Sequence, residues 1–201
     1  RKYGPSHGQI LIDGIDSKEI ELSDYRKNIA VLPQHIKLFN GSLADNIILG
    51  REIKDVQELI NKIEETNLSS FLNRFENGLF TLLGENGRKL SGGEMQMLAL
   101  IRALLFKPKL LIIDEGLSGV DFDIEEQIYE IIQVYSKNNA VLLITHNLAN
   151  LLKTDYLYVL KNGNITEHGS PSLLMQYGSS FGSSVKKQYS YFYENGVTAN
   201  V

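Results

Sequence analysis

Two continuous apolar runs, KLLIID at residues 109–114 and AVLLIT at 140–145, constrain the fold of this chain more than any other feature. Each run has the length of a strand, and neither alternates between apolar and polar residues. Such strands are typical of parallel sheets, because helices cover both faces of a parallel sheet. Residues 122–136, between the runs, are predicted to be helical. The strand–helix–strand order therefore predicts an α/β fold with a mostly parallel sheet.

Turn and cap signals predict the remaining elements. Ser42 with Asp45, and Ser91 with Glu94, have the spacing of capping boxes that open helices. Further predictions are strands in 8–14 and 28–34, two helices within 55–75, a helix from Ser91 to about Phe106, which Pro108 ends, and a hairpin in 155–169 around Asn162-Gly163. Residues 170–201 are rich in Ser, Gly and Tyr. Beyond a helical turn at 173–177, this tail is expected to be mobile or packed along the surface.

Composition narrows the possible functions. The chain has 201 residues, a formal net charge of −4 and no cysteine. The charge disfavours wrapping of nucleic acid, and the lack of cysteine excludes disulfides and thiolate metal sites. No run of about 18 apolar residues is present, so no membrane span is predicted. The length suits one domain with a tail, and the start at Arg1 suggests a piece of a longer protein.

Two adjacent carboxylates, Asp114 and Glu115, end the first apolar run. The carboxyl end of a buried strand is where open α/β sheets bind ligands. An Asp at that place typically holds Mg²⁺ beside phosphate oxygens, and an adjacent Glu can polarise an attacking water. For an isolated pair, a strand that simply ends in solvated acids remains the alternative.

The sequence LSGGE at 90–94 adds a second phosphate signal. Glycines at a helix start leave backbone N–H groups open to close approach by a phosphate. A plain helix cap is the alternative. The full order favours the phosphate interpretation: a strand, then Gln34, then LSGGE, then a helix, then LLIIDE, then SGVD ending at Asp121, then His146 after a strand.

These motifs in this order resemble the nucleotide-binding domain of ATP-binding cassette (ABC) transporters. Gln34 resembles the Q-loop glutamine, and LSGGE resembles the signature motif, which implies nucleotide contacts for Gln34, Ser91, Gly92, Gly93 and Glu94. LLIIDE resembles Walker B. The resemblance implies that Asp114 and Gln34 face Mg²⁺ and that Glu115 is the catalytic glutamate. Asp121 resembles the D-loop aspartate, which is a nucleotide-binding position. His146 resembles the switch histidine, which is a catalytic position.

The segments LPQHIKLFNGSLADNIILG and LGENGRKLSGG resemble the exporter type. This implies a P-loop NTPase-like sheet with a helical subdomain at about 42–106, an ABC ATPase region over 1–169 and a tail at 170–201. It also implies ATP and Mg²⁺ as cofactors and a second ATPase domain as partner. A transmembrane domain is expected near Gln34 and Glu85, and the location is the cytoplasmic face of the cell membrane. Nucleic-acid-linked ABC ATPases, a weaker alternative, usually carry coiled-coil or zinc insertions.

No Gly-Lys dipeptide, and so no P-loop, occurs in these residues. The stretch RKYGPSHGQILIDG resembles the family segment that follows the P-loop helix, so the central P-loop strand is expected to be missing from this chain. On that expectation the 201 residues alone hydrolyse no ATP, although the intact parent does. The alternative is a non-catalytic or truncated subunit that lends its signature motif to a partner's ATP site.

Overall fold

The structure, a computed structural model, describes residues 4–85, 87–116, 122–176 and 178–194. The chain divides into two compact units between Ile144 and Thr145. The sequence-based division was placed later, at residue 169. Among the described residues, no helix has the length and apolarity that crossing a membrane requires.

The first unit contains the following elements in chain order: β1 Leu11–Ile12, β2 Ile15–Asp16, α1 Leu22–Asn28, β3 Ile29–Leu32, β4 Gly41–Ser42, α2 Leu43–Ile48, α3 Val56–Glu64, β5 Leu82–Leu83, α4 Gly92–Leu104, β6 Leu110–Asp114, α5 Phe122–Ser136 and β7 Ala140–Ile144. Short 3₁₀ helices at Ser69–Arg74 and Gly78–Phe80 lie between α3 and β5. Two helices were predicted within 55–75, and the second of them is a 3₁₀ helix. Phe71 and Phe75 on this segment are buried in edge-to-face contact, so core packing sets its conformation.

The predicted parallel sheet is confirmed, with strand order β3-β6-β7. Leu32 pairs with Ile113, and Ile113 pairs with Leu143. All three strands thus end at the same edge of the sheet. β7 has no further strand beside it among the described residues, and it exposes Leu142 and Ile144.

Helix α4 forms the centre of the core. Its residues from Gln96 to Leu104 are all buried, which is typical of a helix that other elements surround. The helix packs against β3, α2 and α5. Both predicted capping boxes are present, with Ser42 and Asp45 opening α2 and Ser91 and Glu94 opening α4.

The second unit contains α6 Leu148–Leu151, β8 Leu157–Lys161, β9 Asn164–Gly169, α7 Pro171–Gln176 and α8 Ser180–Glu194. β8 and β9 form the predicted antiparallel hairpin with Asn162-Gly163 at its turn. The tail differs from expectation, because α8 is a regular helix. Its residues Phe181 and Val185 are buried with Leu157 and Leu174 in a small core of their own.

Candidate functional site

Two strand ends place Gln34 beside Glu115. Gln34 lies two residues after β3, and Glu115 follows Asp114 at the end of β6. The Gln34 amide Nε2 donates a hydrogen bond of 2.7 Å to Glu115 Oε2. The fold thus brings together three of the predicted residues, Gln34, Asp114 and Glu115, at the carboxyl edge of the parallel sheet.

The backbone of Glu115 is held in an uncommon conformation. Its φ is +47°, in the left-handed region, which costs a non-glycine residue on the order of 1 kcal/mol. Its N–H donates to the carbonyl of Ile144 at 2.9 Å, which extends the β6–β7 ladder by one residue. The surrounding sheet therefore fixes the direction in which the Glu115 side chain leaves the strand.

Gly116 completes this turn. A Cβ atom at this position would lie 2.9 Å from Leu32 Cγ and 3.0 Å from the Leu32 carbonyl oxygen. Only glycine allows the chain to pass so close to the end of β3. The close approach keeps the segment after β6 against the segment that carries Gln34.

The two carboxylates differ in their surroundings. Asp114 is exposed, whereas Glu115 is half-buried. Among the described residues there is no group of three or more His, Cys, Asp or Glu side chains placed to hold a metal ion. The oxygen donors at this edge are instead two carboxylates and one amide. That set suits Mg²⁺, which usually takes one or two carboxylates and completes its shell with water and substrate phosphate.

The LSGGE turn opens α4. Ser91 Oγ accepts the Glu94 N–H at 3.2 Å, and Glu94 Oε2 accepts the Ser91 N–H at 2.9 Å. Ser91 and Gly92 are exposed, whereas Gly93 and Glu94 are buried. The exposed first turn presents backbone N–H groups at the positive end of a thirteen-residue helix, an arrangement suited to a phosphate.

Glu94 was predicted to contact nucleotide, and its carboxylate is engaged within the chain. One oxygen accepts the Ser91 N–H, and the other accepts from Arg88 Nη2 at 2.5 Å. In this structure Glu94 closes the turn that exposes Ser91.

Two further residues, His146 and Asp121, were predicted to belong to the site. His146 is exposed and belongs to the second unit, two residues beyond the end of β7. The next residue, Asn147, caps α6 by accepting the Ala149 N–H at 3.1 Å. Asp121 lies outside the described residues.

A buried polar cluster around Arg102 was not predicted from the sequence. Arg102 donates to the Asn46 carbonyl at 2.5 Å, to Asn46 Oδ1 at 3.0 Å and to the Lys37 carbonyl at 3.0 Å. Burial lowers the pKa of Arg102 to about 10. The cluster ties α4 to the segment that follows Gln34. The sequence feature that could have indicated this cluster is the arginine inside the apolar stretch LALIRALLF.

An apolar surface lies on two neighbouring segments. β4 and β5 pair in antiparallel fashion, with Ser42 opposite Leu82. Phe39, Phe80 and Leu82, on or beside these strands, are 58%, 67% and 62% exposed. We call these three residues the apolar ledge. Beside it the Glu85 N–H donates to Asn40 Oδ1 at 2.9 Å, which joins the two segments again. Large apolar side chains with this exposure on paired segments make them a candidate interaction surface.

Comparison with known proteins gives a consistent result. The family model described as ABC transporter matches residues 1–118. The chain is 36% identical over 178 residues to an ATP-dependent lipid A-core flippase of Chromobacterium violaceum, covering 89% of this chain and 30% of the relative. It is 34% identical over 188 residues to ABC transporter B family member 13 of Arabidopsis thaliana, covering 94% of this chain and 15% of the relative. The chain thus spans less than a third of these relatives.

A solved structure, a bacterial Atm1-family ABC exporter with ATP bound, matches with a TM-score of 0.83 and 30% identity. The match covers 94% of this chain and 33% of that one. The fold agrees with that of this solved relative. The chain therefore belongs to the ABC transporter family, and the region that it covers lies in the ATPase domain of the exporter type.

Proposed function

We propose that this chain is part of the ATP-binding and ATP-hydrolysing domain that powers an ABC exporter. The observation that carries the proposal is the hydrogen bond from Gln34 to Glu115, beside Asp114 at the carboxyl edge of the sheet. Two carboxylates and one amide thus lie together where α/β sheets bind ligands, which supports the proposal. The solved relative that matches this chain was determined with ATP bound.

Glu115 is proposed as the general base. A base must lie within hydrogen-bond reach of the water that attacks the γ-phosphate, and its position must be fixed. The ladder bond to Ile144 and the contact with Gln34 fix it here. Because Glu115 is half-buried, its carboxylate is only partly screened by solvent.

Asp114 and the amide oxygen of Gln34 would hold Mg²⁺. When bound, this ion supplies positive charge that stabilises the oxygens of the transferring phosphoryl group. Mg²⁺ prefers oxygen ligands, and the sheet edge offers carboxylate and amide oxygens. Asp121 is proposed as the D-loop aspartate and His146 as the switch histidine, the roles that the family resemblance implies.

Ser91, Gly92 and Gly93 are proposed to contact the nucleotide bound by a second ATPase domain. The exposed turn at the start of α4 offers N–H groups and a hydroxyl to a phosphate. The 201 residues contain no Gly-Lys dipeptide, so the lysine that cradles phosphate in this family has to come from elsewhere. The exposed edge of β7 offers a place for a further strand beside the sheet.

The apolar ledge is proposed as the contact with a transmembrane domain at the cytoplasmic face of the membrane. Phe39 follows Gln34 by a few residues, and Phe80 and Leu82 precede Glu85 by a few residues. The ledge therefore lies on the segments that the exporter resemblance assigns to this contact. Phe39, Phe80 and Leu82 provide the apolar centre that a stable interface needs.

The protein expressed from its complete gene, purified in lipid nanodiscs, tests the proposal. We expect Mg²⁺-dependent ATP hydrolysis, and we expect Glu115→Gln to abolish turnover while the protein still traps ATP. The substitution keeps the shape of the side chain and removes the base. Glu126→Gln, on the exposed side of α5, is the matched control and should hydrolyse ATP at the parent rate. A Glu115→Gln protein with parental turnover would remove Glu115 from the catalytic role.

A further inference from the structure

The carboxylate of Glu94 is held by one cation. Its side chain is 9% exposed, and Arg88 Nη2 lies 2.5 Å from its Oε1. A charged partner stabilises a carboxylate in this position, because a buried charge without a partner is costly. Arg88, at 41% side-chain exposure, reaches it from the loop before α4.

The second oxygen of Glu94 connects this pair to the LSGGE turn. Oε2 accepts the Ser91 N–H at 2.9 Å, while the Glu94 N–H donates to Ser91 Oγ at 3.2 Å. The position of the Ser91 hydroxyl therefore depends on the position of the Glu94 carboxylate. Arg88 acts on Ser91 through that carboxylate and does not contact Ser91 in the bonds described.

Arg88 itself is anchored at three further points. Its Nη1 donates to the Arg74 carbonyl at 2.8 Å, and its guanidinium lies 4.7 Å from the centre of the Phe75 ring. Its backbone N–H donates to the Leu82 carbonyl at 2.8 Å. The neighbouring Gly87 permits this approach, because a Cβ there would lie 2.4 Å from the Leu82 oxygen. Arg88 is thus fixed to β5, which carries one residue of the apolar ledge.

We propose that Arg88 is a positioning residue that holds the signature turn through Glu94 and couples that turn to the β5 segment. The proposal rests on the proposed function, since the turn is taken to meet a nucleotide. Arg88 touches no nucleotide in this scheme. Its backbone N–H donates to the Leu82 carbonyl of β5, and its guanidinium pairs with Glu94 of the capping box. A shift of Leu82 would therefore reach Ser91 through one ion pair and two hydrogen bonds.

Three variants of the complete protein test the proposal: Arg88→Gln, Glu94→Gln and the double variant. Arg88→Gln leaves a buried carboxylate without its cation, and we expect the KM for ATP to rise about tenfold, with kcat changed less. Glu94→Gln should raise the KM less than Arg88→Gln does, because glutamine still accepts the Ser91 N–H and leaves no buried charge without a partner. The KM of the double variant should equal that of Glu94→Gln, since no unpaired charge remains.

Hydrogen exchange measured by mass spectrometry gives a readout that needs no activity. We expect faster exchange at the amides of residues 91–94 in Arg88→Gln and parental exchange in the double variant. Lys107→Gln is the control, because it breaks a 3.0 Å ion pair with Glu65 beyond the opposite end of α4. It should change neither the KM nor the exchange of the turn.

The outcomes separate the two proposals. If Arg88→Gln and the double variant are equally impaired, Arg88 acts only by packing on Phe75, and the positioning role is overturned. Unchanged exchange in Arg88→Gln also overturns it. If the parent protein hydrolyses no ATP, the proposed function fails, while the exchange comparison still decides whether Arg88 holds the turn.

Discussion

Gln34 Nε2 lies 2.7 Å from Glu115 Oε2, although 81 residues separate the two in the sequence. Gln34 follows β3 and Glu115 follows β6, and these strands are direct neighbours in the parallel sheet. The bond therefore connects the two strand ends where the candidate site lies. An amide donor keeps the carboxylate oriented, and a general base needs a fixed orientation.

Gln34→Leu is expected to slow ATP hydrolysis by roughly tenfold or more, because the base loses the group that orients it and Mg²⁺ loses one proposed ligand. Steady-state ATP hydrolysis by the complete protein measures the effect. Gln57→Leu is the matched control, since Gln57 donates to Asn61 on the exposed side of α3. Equal rates of ATP hydrolysis in the Gln34→Leu and Gln57→Leu proteins would remove Gln34 from the site.

The turn at Ser91, Gly92 and Gly93 leads to a prediction that distinguishes a helix cap from a phosphate contact. If the turn only caps α4, Ser91→Ala should cost about 1 kcal/mol of stability and leave hydrolysis largely intact. If it faces a phosphate bound by a partner domain, Gly93→Asp should stop hydrolysis there, because a carboxylate repels the phosphate and blocks close approach.

Mixed dimers reveal which site the Gly93→Asp lesion affects. One arrangement pairs a Gly93→Asp subunit with a subunit whose phosphate-cradling lysine has been substituted. We expect one working site there, because the intact lysine faces an unaltered turn. With both lesions in one subunit, we expect both sites to fail. Gly93 is buried, but both arrangements carry the same lesions, so a general loss of stability is matched. Equal ATP hydrolysis in the two arrangements would return the turn to a capping role.

Asn46→Ala is expected to lower the free energy of unfolding by about 2–4 kcal/mol, because it leaves buried polar partners unsatisfied. Asn46 is fully buried and exchanges hydrogen bonds of 2.9 Å with both backbone groups of Phe39, while Arg102 donates to its Oδ1. Chemical denaturation measures the loss. Asn61→Ala removes an exposed asparagine with one side-chain partner, Gln57, and should change stability by less than about 0.5 kcal/mol. Equal losses in the two variants would show that the Asn46 cluster is not a stabilising one.

Local patterns in the sequence were sufficient to predict the parallel sheet and the starts of α2 and α4. Apolar runs without alternation identify buried parallel strands, and the capping boxes at Ser42 and Ser91 depend on residues three positions apart. From there the motif order placed Gln34, Asp114 and Glu115 at one edge, and the fold brings them together.

The features that sequence reasoning missed depend on contacts between distant residues. The carbonyl groups that Arg102 binds lie 56 and 65 residues away, and any residue type supplies a carbonyl. Helix α8 begins with SFGSS, a poor helix-forming sequence. A carboxylate thirteen residues upstream, Glu167, caps it, and burial of Phe181 and Val185 stabilises it. Neither of these interactions has a local sequence pattern.

Glu167 is therefore expected to make helix α8 sensitive to acid. Its Oε1 accepts the Ser180 N–H at 2.8 Å and its Oε2 accepts the Phe181 N–H at 3.3 Å. The Ser180 hydroxyl and these amides hold the pKa of Glu167 below its ordinary value of 4.5. A lowered carboxyl pKa means that the folded helix favours the ionised form. This stabilisation is complete above pH 4.5 and is lost as the pH falls through the lower folded value.

Hydrogen exchange of residues 180–188 across this pH range, corrected for the intrinsic pH dependence of exchange, measures the effect. In the parent protein we expect α8 to lose protection at the acid end. The side chain in Glu167→Gln carries no charge at any pH. In this variant we expect α8 to be less protected from exchange at pH 7 than in the parent. Protection should then not fall further at acid pH through titration of this position. Glu130→Gln, an exposed position on α5, is the control and should behave as the parent does. Equal protection of α8 in the Glu167→Gln and parent proteins at pH 7 would show that burial of Phe181 and Val185 alone holds the helix in place.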